Sequence, residues 1–163
     1  MKNFLISIPD SIIARQAFAE IQQINEVTLE YGLRLSDNDI KIILSTRSEA
    51  LSSSGRVEFG GEIITRLIMR FCDSPYISQY NYVETIDELI ETFYHYKNET
   101  MDGISDDELI DFMKECFDNK CQGDLELLRY KYLDTLAHNV KYGVVDYLEV
   151  DEALEEEMEG DEE

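Results

Sequence analysis

Two acid–histidine pairs are the first residues to weigh as chemistry. Glu91 precedes His95 by four residues and Asp134 precedes His138 by four. That spacing puts both members of a pair on one helix face. If two such helices packed together, four oxygen and nitrogen ligands would converge on a metal. The Glu-x-x-His pattern of helical di-iron sites is absent, and acid–histidine pairs are ordinary on wet helix faces, so a surface role is the plainer reading. Cys116 and Cys121 have four residues between them. Some zinc sites use that spacing, but a tetrahedral site needs two further ligands and no second cysteine pair follows. Cys72, His95 and His138 are the remaining soft candidates. Cys116 also falls on an apolar stripe, where a reduced cysteine packs as a small hydrophobe. No metal or other cofactor is assigned.

Nucleophilic catalysis finds no support. Ser52–Ser54 reads as a loop, and no Gly-x-Ser-x-Gly elbow occurs. Cys72, beside Asp73, lacks the positive setting that activates a thiolate unless Arg66 or Arg70 supplies it. The run Gly55–Gly61 leads into a helix and is a candidate anion cradle. It matches neither the P-loop nor the dinucleotide fingerprint, so a glycine-assisted turn is preferred. Arg56, Arg66 and Arg70 are uncommon bases in an acidic chain. Pairing with Glu58, Glu62 or Asp73 is the default expectation; unpaired, they would dock an anion or a carboxylate. Tyr76, Tyr80 and Tyr82 cluster with Asp73, Gln79 and Asn81. Tyrosine, with its apolar body and polar tip, suits a recognition surface, and equally the rim of a small core.

The chain has 163 residues, a net charge of −22 and three cysteines. The length suffices for a core without disulfides or metals. An odd number of cysteines and no secretory signal over Met1–Ile8 lead to an expectation of reduced thiols and a cytoplasmic protein. No apolar run approaches membrane-spanning length. The charge argues against nucleic acid and anionic membrane as direct partners. It is also uneven: Met1–Cys72 has nine acids against eight bases, Asp73–Glu163 27 against six.

The elements that position these residues read as helices. Pro9-Asp10-Ser11 opens the first, with Ile13, Ala17, Ile21, Ile24 and Thr28 on one face and Gly32 ending it. Ser36 caps the second, with Asp39 three residues on and Leu35 against Ile40 as a hydrophobic staple. Ile40, Ile43, Leu44, Arg47 and Leu51 form its stripe. The third is expected from Phe59–Gly61, with Phe59, Ile63, Leu67 and Phe71 in line, and should end before Pro75. The fourth starts at Asn81 or Thr85, each having a glutamate three residues on. Ser105 and Glu108 make a capping box for the fifth, with Ile104 and Leu109 as staple. Gln122-Gly123-Asp124 breaks the chain and opens a sixth, ended by Gly143. The expected fold is all-α, a bundle of about six helices over residues 1–143. Residues 144–163 form an acidic tail with eleven acids and no base. Its composition suits a solvated segment, yet Tyr147, Val150, Leu154 and Met158 keep near-helical spacing that would fit a partner's groove.

The strings GRVEFG (55–60), FCDSPY (71–76), QYNY (79–82), FYHYKNE (93–99) and SDDELI (105–110) resemble those of a small family of Firmicutes proteins that carries a domain-of-unknown-function label. The resemblance covers roughly Gly32 to Leu128. It implies a bacterial cytoplasmic origin and supplies no activity, cofactor or catalytic residue. The function expected from the residues is a non-enzymatic interaction or regulatory protein. Its partner would be a basic protein, with mimicry of nucleic acid as a narrower version. The alternatives are a metal-dependent enzyme or sensor built on Glu91, His95, Asp134 and His138, and a small-anion module under Gly55–Tyr82 with Arg56 or Arg70 holding the ligand.

Overall fold

Ser36 and Ser105 show how local chemistry sets the element boundaries. The Ser36 hydroxyl accepts from the Asp39 amide at 3.0 Å while the Asp39 carboxylate accepts from the Ser36 amide at 2.9 Å, a complete capping box. Ser105 accepts from the Glu108 amide at 3.2 Å and donates its hydroxyl proton to the Glu108 carboxylate. The staple partners Leu35 with Ile40 and Ile104 with Leu109 are all buried.

The computed structural model describes residues 12–150. It is all-α: six helical runs, and no strand among the described residues. These are α1 (Ile12–Thr28), α2 (Asp37–Ser54), α3 (Glu62–Phe71), α4 (Tyr82–Glu99), α5 (Asp106–Asn119) and α6 (125–141). The chain divides into two units between His95 and Tyr96, a point inside α4. The expected cap at Pro9–Ser11, the side chain of Ile13 and the residues Leu154 and Met158 lie outside the described part.

In the first unit α1 packs on both α2 and α3. Ala17, Ile21 and Ile24 are buried, as are Ile40, Ile43, Ile64, Leu67, Phe71, Leu89 and Phe93 of the same unit. Each large side chain in that set contributes about 1.5–3 kcal/mol of transfer free energy. Asn25 ties the α1–α2 connection to this core. Its amide nitrogen donates to the Leu35 carbonyl at 2.9 Å, and its carbonyl accepts from the Leu35 amide at 2.8 Å. Gly32 takes φ +74°, the left-handed turn that ends the first helical run.

Two expectations are corrected here. Phe59 does not extend the α3 stripe. Gly60 takes φ +80° and turns the chain, so the helix begins at Glu62 and Phe59 is left outside. Tyr82 is not a surface tyrosine. It opens α4 on the inner face and is fully buried. Its hydroxyl lies against Thr28, whose own hydroxyl is committed to the Leu33 carbonyl at 2.9 Å. Burial pushes the Tyr82 pKa up to about 12, outweighing the Thr28 contact. Of the two candidate starts for α4, the structure selects the one at Asn81. The Asn81 side chain turns backward, accepting from the Ser78 amide and donating to the Tyr76 carbonyl.

In the second unit α6 is α-helical over Leu125–Leu127, π-helical over Leu128–Leu133 and α-helical again over Asp134–Lys141. Asp124 caps it, accepting from the amides of Glu126 and Leu127. The wide turn has a visible cause. The Tyr96 hydroxyl inserts at it, 2.8 Å from the Arg129 carbonyl and 2.5 Å from Asp134 Oδ1. The Asp134 amide also reaches back five residues to Arg129. A side chain inserted into the ladder is a recognised origin of such bulges. Burial, then the Asp134 carboxylate, raises the Tyr96 pKa, so its proton stays in this shared bond. Two lysines are buried nearby in sequence. Lys97 donates to the Ile104 carbonyl at 2.5 Å and pairs with Asp106 at 2.8 Å. Lys114 pairs with Asp118 at 2.8 Å.

Replacing Tyr96 with Phe removes the group that fills the wide turn, leaving the Arg129 carbonyl with the Asp134 amide alone and Asp134 Oδ1 without the hydroxyl. The expected cost is about 1–2 kcal/mol in urea unfolding, with faster amide exchange over 128–134. Unchanged stability and exchange would assign the π turn to some other contact.

Candidate interaction surface

Residues 56–59 lie outside helix and strand between α2 and α3, and their exposure alternates as it would in an extended chain. In an extended chain successive side chains point to opposite sides. Arg56 and Glu58 are partly covered, while Val57 and Phe59 are 76% and 72% exposed. Outward apolar side chains on a connection would ordinarily be mobile. This connection is tied down from behind at three points. The buried Arg47 on α2 donates through Nη1 to the Gly60 carbonyl and faces Glu58 Oε1 at 3.7 Å. The Tyr94 hydroxyl on α4 donates to Glu58 Oε2 at 2.6 Å. The Gly61 amide donates to Glu20 Oε1 of α1 at 2.8 Å.

Glycine is favoured at this approach because Gly60 takes φ +80°. A Cβ on Gly60 would stand 2.9 Å from Glu20 Oε1, and one on Gly61 would stand 3.3 Å from the Ala17 carbonyl. In the candidate anion cradle, the Gly61 amide is taken by the Glu20 carboxylate, and the preferred reading of a glycine-assisted turn fits the positive φ of Gly60. The network is also incompletely satisfied. Arg47 Nε has no hydrogen-bond partner among the described residues, and Glu58 Oε1 accepts none. A largely buried pair of this kind contributes little net stability, because desolvation offsets the attraction.

The second polar knot lies between α3 and α4. The Gln79 amide makes two bonds to the backbone of Arg34, accepting from its N–H at 2.7 Å and donating to its carbonyl at 3.0 Å. Ile77 and Ser74 are buried, and Tyr80, between Gln79 and Asn81, is 97% exposed. Tyr76 and Asp73 are exposed as well. Arg66 pairs with Glu62 within α3. Arg56, Arg70 and Asp73 also have interactions within the chain. The unengaged arginine that a small-anion site requires is thus not supplied by this trio.

Glu91, His95, Asp134 and His138 are all exposed. Asp134 is engaged by Tyr96, and the His138 ring lies 4.6 Å from that of Tyr142. Among the described residues no three His, Cys, Asp or Glu side chains form a group able to hold a metal. All three cysteines are buried. Tyr147 is partly covered, its hydroxyl 3.4 Å from Glu108 Oε2.

A family model described as a family of unknown function (DUF6323) matches residues 20–146. The chain belongs to that family. The DUF6323 match spans every residue of the Glu20–Arg47–Glu58–Tyr94 network and ends before Tyr147. Searches of curated proteins and of solved structures give no match.

Two outcomes follow from the geometry. Replacing Arg47 with Met leaves the Glu58 carboxylate without its counter-charge and should cost about 3 kcal/mol in chemical unfolding. Adding Glu58→Met should recover part of that loss; a double variant no more stable than the single one would contradict the pairing. The neighbouring residue of α2, Thr46, touches Asp87 of α4, whose Oδ1 is buried without a partner. Burial raises the Asp87 pKa above its ordinary 3.8, more than the Thr46 hydrogen bond lowers it. The folded state then holds this proton more tightly than the unfolded state, so stability falls as pH rises from the ordinary aspartate value through the raised one. Asp87→Asn should therefore raise the melting temperature at pH 7 and lose that advantage below about pH 4, in the ordinary aspartate range. An advantage that persisted at low pH would contradict the assignment.

Proposed function

We propose that this chain is a protein-interaction module without chemistry of its own, working in the cytoplasm. The observation that carries the reading is the pinned segment 56–60. Two large apolar side chains are held outward by a buried ion pair, a tyrosine hydroxyl and a glycine contact with Glu20. Folding gains nothing from exposing Val57 and Phe59, whereas a partner gains a preordered apolar anchor at low entropic cost. The net charge of −22 favours a basic partner protein and opposes pairing with a second copy. No helix among the described residues is long and apolar enough to cross a membrane, and three buried thiols suit a reducing compartment.

The test is photo-crosslinking in the source cells, with a benzophenone side chain at position 59 and, as control, at position 31. Tyr31 is also exposed, at 50%. A discrete adduct with a basic protein is expected at 59, absent at 31 and weakened by Val57→Ser. No adduct, or the same smear at both positions, would defeat the proposal.

A further inference from the structure

The turn that closes α6 exposes apolar side chains of a second kind. Tyr142, Val144, Val145 and Leu148 are all exposed, Val145 to 89%. The turn is nonetheless built. Gly143 takes φ +72°, the Val144 amide donates to the Asn139 carbonyl at 2.9 Å, and the Glu149 amide donates to Asp146 at 3.0 Å. Val150 is buried and anchors the far end. Along the sequence from Val144 onward the charge has one sign. Residues 144–163 contain eleven acids and no base, with Lys141 the nearest base before them. Lys97 and Lys114, two of the six bases between residues 96 and 150, are buried and paired with Asp106 and Asp118.

We infer that the 142–148 surface docks a basic amphipathic segment of a partner protein. The segment's apolar face covers Tyr142, Val145 and Leu148, and its lysines or arginines face Asp146 and Glu149. Apolar anchors inside a field of one charge sign select a ligand that is both oily and cationic. A second copy of this chain, nucleic acid and anionic lipid all carry the wrong charge. The inference rests on the interaction-module reading but uses residues other than Val57 and Phe59.

The experiment uses the full chain and a fluorescent synthetic peptide of leucine and lysine, with leucines at i, i+3, i+4 and i+7. Two further peptides serve as controls: the same composition with leucines scattered, and a version with glutamate in place of lysine. Anisotropy is read at about physiological salt. The amphipathic cationic peptide is expected to bind, and the scattered one at least tenfold more weakly. V145S/L148S should weaken binding at least tenfold, as should D146K/E149K, which leaves every apolar side chain in place. V57S/F59S should change nothing, which separates this surface from the 56–60 segment. The inference is overturned if no peptide binds or if V145S/L148S binds like the parent. It is equally overturned if the glutamate peptide binds as well, or if V57S/F59S accounts for the loss.

Discussion

A guanidinium held in the interior, with a glycine carbonyl on one side and a carboxylate on the other, sets the conformation of the first unit's most unusual stretch. Arg47 reaches Gly60 and Glu58 from α2, and Tyr94 reaches Glu58 from α4. The segment between α2 and α3 is thereby fixed by groups from two helices, and a third, α1, adds Glu20 at Gly61. Desolvating Arg47 is expensive, and its Nε finds no hydrogen-bond partner among the described residues. Apolar residues of similar volume would ordinarily stabilise as well. What the polar set achieves is a defined backbone path that turns Val57 and Phe59 to solvent.

The second unit uses the same device for another end. There the hydroxyl of Tyr96 sits in a π turn, and Lys97, the next residue, is tied to the Ile104 carbonyl and Asp106. Two neighbours at the end of α4 thus fix α6 and the approach to α5. Gly103 lies in the connection between them, where a Cβ would meet Val140 Cγ1 at 2.7 Å. Polar side chains in both units determine how elements join, while the aliphatic core supplies most of the favourable free energy.

What could be read from the chain beforehand was local. The Ser36 box, the Ser105 cap, the stops at Gly32 and Gly143, and the all-α class depend on residues within one helical turn, and they stand; Ser52–Ser54, read as a loop, instead forms the last turn of α2. What could not be read depends on partners distant in sequence. Phe59 has helical spacing to Ile63, and Gly60 alone, with Glu20 behind it, places it outside the helix. Tyr82 is legible both ways: its neighbours are exposed tyrosines and polar residues, but its helical spacing to Ile86, Leu89 and Phe93 marks the apolar face of α4, and the spacing holds. The π turn answers to a tyrosine more than thirty residues earlier. Arg47 read as one residue of an apolar stripe; its role required knowing where Gly60 and Glu58 go. The charge imbalance between front and back also changes meaning. Residues 12–95 carry net −6 and residues 96–150 net −7, so the excess lies in 151–163, with net −9.

The two exposed apolar surfaces differ in what surrounds them. Val57 and Phe59 stand on a pinned backbone near paired charges, and Tyr142–Leu148 beside Asp146 and Glu149. The pins on 56–61 imply that the first of these surfaces is rigid before any partner arrives. Nitrogen-15 relaxation of the free protein measures this directly at the amides of 56–61. Rigid presentation predicts order parameters near those of the flanking helices, about 0.85, whereas values below about 0.6 would make the segment an ordinary flexible loop and contradict the claim.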